Sequence, residues 1–179
     1  MKFEQTPLKD AWVVSLAPIG DERGYFARAF CRKEFEDHGL DPTVVQCNTS
    51  FNKDAGTLRG MHYQVDPAPE TKAVRCIRGS FYDVIVDMRP ESPTYLKHFG
   101  VELSADNGKM LYVPGNFAHG FLTLEPDTQA FYMVGEYYTP GCERGIRYND
   151  PAIGIEWPAP IHVLSEKDAA WPLLEIGNS

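Results

Sequence analysis

Apolar residues along this chain come in short bursts rather than in helical periods. The clearest are AWVVSLAP, TVVQCNTSF, KAVRCIRGSFYDVIVDM, HFGVELS, KMLYVP, HGFLTL and QAFYMVGEYY. They are rich in Val, Ile, Phe and Tyr, and several alternate apolar with polar, as half-buried strands do. Fourteen prolines and fifteen glycines punctuate them at near-even intervals. The pattern predicts an all-β fold of many short strands, with a spacing close to that of a jelly roll. At Arg78-Gly79-Ser80 two strand-like runs meet, and glycine there can supply the positive φ of a tight hairpin.

A few short helices are expected beside the strands. RKEFEDHGL, Arg32 to Leu40, has Phe35 as its apolar anchor and Gly39 as its stop. Near the tail, Ser165 can cap a turn running through Glu166, Lys167, Asp168, Ala169 and Ala170. The stretch from Thr139 to Pro160 has little periodicity and reads as an ordered loop with short strands over the barrel. No repeat, low-complexity tract or linker interrupts residues 1–179, so a single domain is expected.

Composition narrows the partners. With 43% hydrophobic residues the chain can bury one substantial core, and a second full domain would not fit. Seventeen basic against 25 acidic residues give a formal charge of -8, which argues against nucleic acid or an anionic membrane surface. A phosphate-bearing small molecule stays open, because a few arginines can converge locally; Arg23, Arg59, Arg75, Arg78, Arg144 and Arg147 are the candidates. No apolar run is long enough to span a membrane and MKFEQTPLKDAW lacks a secretory layout, so a cytoplasmic protein is expected. Cys31, Cys47, Cys76 and Cys142 contain no C-x-x-C pair and are expected to be free, buried thiols.

Candidate chemistry centres on LRGMHYQ, residues 58–64. Strand alternation places Arg59, Met61 and Tyr63 on one face, His62 and Gln64 on the other. A histidine facing a barrel interior suits proton transfer near neutral pH, although taken alone it is more often a structural, hydrogen-bonded residue. Its carboxylate partner could be Asp83, Asp87 or Asp168, and spacing does not choose among them. Lys72 could stabilise an oxyanion or simply be a solvated strand-edge lysine, and Tyr132 could donate a proton or simply pack. Metal ligation is not expected: the H-x-H of metal-binding barrels fails at His62-Tyr63-Gln64, and His119 stands without a partner at ligand spacing. His38, His98 and His162 read as surface or structural residues.

Six segments together resemble the dTDP-4-dehydrorhamnose 3,5-epimerase family. They are DERGYFARAF (21–30), QCNTSFN (46–52), GTLRGMHYQ (56–64), KAVRCIRGSFYDVIVDMRPESPTY (72–95), VELSADNGKMLYVPGNFAHGF (101–121) and ERGIRYNDPAIGIEWP (143–158). The resemblance implies a double-stranded β-helix, cupin-like barrel and a homodimer in which strands and an arginine cross between subunits, with neither metal nor cofactor. It implies epimerisation at C3 and C5 of a nucleotide-linked 4-keto-6-deoxyhexose, from dTDP-4-dehydro-6-deoxy-D-glucose to dTDP-4-dehydro-L-rhamnose. By resemblance His62 is the base, Asp168 its paired carboxylate, Lys72 the cation on the enolate oxygen and Tyr132 the acid, with Tyr138 lining the same site. Arg23, Gln46, Asn48, Arg59, His119, Glu143 and Lys167 match positions that contact the nucleotide diphosphate or sugar, and Phe26 an aromatic near the base.

Two departures keep alternatives open. Arg28 stands where the family commonly has Glu, in a contact to the nucleotide end, so another nucleotide sugar is thinkable. Met133-Val134-Gly135-Glu136 replaces the commoner Lys-Thr-Thr-Asp after the proposed acid, which leaves room for a C3- or C5-only epimerase. A non-catalytic sugar-binding cupin is less favoured, since His62, Lys72, Tyr132 and Asp168 are all retained.

Overall fold

Short apolar runs become short strands in the computed structural model, which describes residues 1–174. The last five positions of the expected domain, 175–179, lie outside the described residues. In chain order the elements are β1 (Lys2–Gln5), β2 (Trp12–Ser15), β3 (Ile19–Asp21), β4 (Gly24–Phe26), α1 (Arg32–Asp37), β5 (Gln46–Asn52), β6 (Thr57–Gln64) and β7 (Lys72–Arg78). They continue with β8 (Ser80–Asp87), β9 (His98–Ser104), β10 (Met110–Val113), β11 (Phe117–Thr123), β12 (Thr128–Val134), β13 (Glu143–Gly145), β14 (Val163–Leu164) and α2 (Glu166–Ala169).

Two sheets face each other. One has the order β1-β2-β10-β7-β12-β5; the other runs β13-β6-β11-β8-β9, with β14 also on β6. All pairings are antiparallel except β14 with β6, and β3 pairs only with β4 as a separate hairpin. This is the expected jelly-roll barrel. Strand alternation sorts the side chains into three layers. Between the sheets lie Val74, Phe81, Ile85, Leu111, Phe117 and Phe121. Behind the first sheet, Phe35 of α1 packs on Val14, Ala73, Met110 and Tyr112. Behind the second, Ile146 and Ile153 cover Met61, Val84, Val86 and Ala118. The run FYDVIVD of β8 is nearly all apolar because both of its faces are covered, Phe81 and Ile85 inward, Val84 and Val86 outward.

The helices follow their caps. Phe35 is buried and Gly39, at φ +72, ends the first helical segment. The Ser165 hydroxyl accepts the Asp168 backbone N–H at 3.1 Å and starts α2. The 139–160 segment forms one short strand, β13, and then covers the outer layer.

The expected hairpin at Gly79 is corrected. Gly79 does take φ +71, but β7 pairs with β10 and β12 whereas β8 pairs with β9 and β11. A single left-handed residue here steps the chain from one sheet to the other instead of folding it back. The Thr128 side chain occupies the space a Cβ at position 79 would need, so glycine is required sterically as well. The thiol expectation is met in part: all four cysteines are free, with Cys76 and Cys142 buried but Cys47 exposed.

Asp87 closes the mouth of the β8 strand. Its carboxylate accepts two bonds from the Arg89 guanidinium at 2.9 Å, and others from Ser92 at 2.5 Å and Thr94 at 2.7 Å. Burial alone would raise this carboxyl, but these donors outweigh it and hold the group at about 2. The folded value lies below the unfolded 3.8, so the stabilisation is complete above the unfolded value and is lost as pH falls through the folded one. Replacing Asp87 with Asn is expected to cost about 2 kcal/mol at neutral pH. In urea titrations, the gap to wild type should close between pH 3.8 and about 2. A gap independent of pH would assign the loss to packing.

Candidate active site

The site begins with an irregularity. Where β6 meets β11, His62 lies opposite His119 and Arg59 opposite Phe121, so Gly60 and Met61 together face the single residue Gly120. This is a β-bulge, and it changes the parity of the strand. Arg59 and His62, three apart, come to the same side. The alternation expected from sequence, which placed Arg59 with Met61 and Tyr63, is corrected for Arg59; Met61 and Tyr63 do share the outer layer. Glycines make the close approach possible: a Cβ on Gly60, at φ +132, would lie 2.5 Å from Gly120 Cα, and one on Gly120 would lie 2.7 Å from the Arg59 carbonyl.

Between the sheets opens a cavity of about 210 Å³. One sheet contributes Arg59 and His62 from β6 with His119 and Phe121 from β11; the other contributes Ser50, Lys72, Val74 and Tyr132, and α2 contributes Asp168. His62 Nε2 stands 2.6 Å from Asp168 Oδ1, so Nδ1 is the ring nitrogen not engaged by that carboxylate. The second oxygen of Asp168 accepts the Gly60 N–H at 3.2 Å. A four-residue helix does not persist alone, so its position is set by docking. β14 pairs alongside β6, and Arg147 donates to the Trp171 carbonyl at 2.7 Å while the indole fills the space left by Gly145.

A second imidazole–carboxylate pair lies one strand further in. His119 Nε2 is 2.6 Å from Asp83 Oδ1 on β8. Asp83 is fully buried; burial pushes its carboxyl up, and His119 and Lys72 oppose that rise. The Lys72 ammonium donates to Glu70 at 2.5 Å. Arg59 donates through Nε to Asn52 at 2.7 Å, which orients the guanidinium at the cavity wall. The Tyr132 phenol is raised by burial, with Glu70 adding and Arg59 opposing, so it remains a proton donor through the neutral range.

The other sequence candidates are spread over the surface around the cavity. Near β6, Glu143 accepts from Lys167 at 2.7 Å, which raises the lysine, and Tyr138 is exposed close by. Gln46 and Asn48 lie on edge strand β5, where Asn48 pairs opposite Tyr132. Arg23 and Phe26 are carried out to solvent on the β3–β4 hairpin, with Arg23 paired to Asp21, and Arg28 bonds Glu34 of α1 at 2.9 Å. None of these eight candidate side chains is among those lining the cavity. Ser50, Phe121 and Glu70 were missed in the sequence. For Ser50 a signal existed, because the alternation that aligns Gln46 with Asn48 extends to it.

The family model described as dTDP-4-dehydrorhamnose 3,5-epimerase matches residues 5–175. The chain belongs to that family. A curated relative of that name from Sinorhizobium fredii is 44% identical over 97% of this chain and 90% of its own length. The crystal structure of the Bacillus anthracis enzyme with TDP and PPi bound superposes with a TM-score of 0.92, at 42% identity, covering 97% of this chain and 99% of that one. A Legionella pneumophila structure in complex with dTDP-4-keto-L-rhamnose gives a TM-score of 0.88 at 36% identity, covering 96% and 92%. This chain is therefore an isomerase of the carbohydrate epimerase type.

The geometry also sets what the epimerase tolerates. Alanine at position 60 forces a Cβ onto Gly120 and a side chain into a left-handed backbone. Gly60→Ala is expected to lower unfolding free energy by roughly 1–3 kcal/mol or more. Calorimetry at matched pH measures this, and an unchanged melting temperature would show that the bulge does not need glycine.

Proposed function

We propose that this epimerase converts dTDP-4-dehydro-6-deoxy-D-glucose to dTDP-4-dehydro-L-rhamnose by inverting C3 and C5. Both carbons flank the C4 ketone, so one group that neutralises the enolate oxygen acidifies both C–H bonds. His62, aligned by Asp168, takes the proton on Nδ1, and Asp168 stabilises the imidazolium that results. Lys72 holds the oxygen as charge develops, an interaction of a kind typically worth about 10²–10³ in rate. Tyr132 returns a proton, and a placed acid or base adds about 10²–10⁴. No carbon changes oxidation state, so the chemistry needs no redox partner.

One observation carries this reading. His62 rises from β6 in one sheet and Tyr132 from β12 in the other, on either side of a shared cavity. A proton removed toward one wall and returned from the opposite wall inverts the centre. Relatives crystallised with TDP or with a dTDP-sugar support a thymidine diphosphate handle. Arg59, His119, Gln46, Asn48, Glu143, Lys167 and Tyr138 would bind diphosphate and sugar.

Arg23, Phe26 and Arg28 fit a second role in the same reading, in which the working unit is a cytoplasmic homodimer of single-domain chains. The β3–β4 hairpin leaves Ile19, Tyr25 and Phe26 more than 60% exposed, which is costly for a monomer. In the dimer this hairpin reaches the partner's cavity and supplies an arginine and an aromatic ring to the nucleotide. Sedimentation velocity at micromolar concentration should give a dimer; a monomer with full activity would remove these three residues from the site.

Heavy-water incubation tests the chemistry. Turnover of the dTDP sugar should label both C3 and C5, His62→Ala should abolish label, and Tyr132→Phe should retain some exchange with little inverted product. Label at one carbon alone would make the chain a mono-epimerase, and label at neither would end the catalytic reading.

A further inference from the structure

Lys72 has three N–H donors, and Glu70 takes one of them at 2.5 Å from a position outside the cavity lining. Both side chains are nearly enclosed, with 12% and 16% of their surface exposed. The backbone that carries Glu70 is itself fixed: Gln64 donates to the Ala68 carbonyl at 3.1 Å and the Gly135 N–H to the Thr71 carbonyl at 3.0 Å. Glu70 therefore approaches the ammonium from a rigid support rather than from a free loop.

A competing acceptor makes that support matter. Asp83 is fully buried, feels the charge of Lys72, and keeps Oδ2 without a hydrogen-bond partner. A lysine stem has many rotamers, and an ammonium inside a barrel turns to the nearest carboxyl oxygen that lacks a partner. We propose that Glu70 is a positioning residue that pins the Lys72 ammonium at the cavity wall, keeps it off Asp83 and leaves its remaining donors for the enolate oxygen. This rests on the function proposed for Lys72 above.

The proposal has a definite sign. A carboxylate behind the ammonium offsets part of its charge, so removing Glu70 would speed enolate formation if charge alone governed the step. Positioning predicts the reverse, because a displacement of about 1 Å at a reacting group can cost about 10²-fold. Around the cavity, Arg59 and His62 from β6, His119 from β11, Asp83 from β8 and Asp168 from α2 remain as the other charged or titratable neighbours of Lys72 and Tyr132. Glu70 is also one of the influences that raise Tyr132, after burial.

The test is the isosteric Glu70→Gln, compared with Lys72→Met and the double variant. C–H exchange in heavy water is the readout, dTDP affinity by calorimetry monitors the binding site, and thermal melting monitors folding. Glu70→Gln should lose about 10- to 100-fold in exchange kcat with dTDP affinity unchanged, and should add little in the Lys72→Met background. Its alkaline limb for product formation should move to lower pH, because the Tyr132 phenol loses a neighbouring negative charge. Exchange in Glu70→Gln as fast as wild type, or faster, overturns the proposal while a defective Lys72→Met leaves the enolate role standing. Wild-type exchange in Lys72→Met would instead remove that role and the proposal together.

Discussion

The contact of Gly60 with Gly120 is the constraint on which the rest of the site depends. Two strands approach so closely that neither position admits a Cβ, and the extra residue on β6 reverses the strand's parity across that point. Without the reversal, Arg59 would share the outer apolar layer with Met61, where an unpaired guanidinium would be costly. With it, a cation and an imidazole three residues apart line one cavity. The same bulge exposes the Gly60 N–H, which then helps to hold Asp168.

A second regularity concerns charge. Each cation or imidazole that faces the cavity from β6, β7 or β11 has its own anchoring oxygen: Asp168 for His62, Glu70 for Lys72, Asp83 for His119 and Asn52 for Arg59. A largely buried ion pair such as Lys72 with Glu70 seldom adds net stability, since desolvation offsets the attraction. In the proposed function these anchors orient the four groups where substrate charge develops. Asp87 shows the contrast, because it spends its oxygens on Arg89, Ser92 and Thr94 and serves the loop after β8 rather than the cavity.

The anchors come from far along the chain. Asp168 lies 106 residues from His62 and Asp83 lies 36 from His119, so strand pairing and the docking of α2 bring them together. Glu70, only two residues from Lys72, was close enough to see but sits in a loop with no period to mark its direction.

From sequence alone the strands, both helices, the jelly-roll class and the candidates His62, Lys72 and Tyr132 could be read, because alternation, caps and residue chemistry are local properties. Which sheet each strand joined could not. Gly79 looked like a hairpin glycine and proved to be a step between sheets, since a positive φ turns the chain without naming its partner. Arg59 looked outward and proved to face inward, since a bulge exists only between two strands and leaves one of them looking regular. Asp168 was one carboxylate among three by spacing, and only the docking of the tail against β6 put it beside the imidazole. What the chain decides residue by residue is conformation; what folding decides is which distant groups share a desolvated space, because that depends on pairings between strands that no single segment contains.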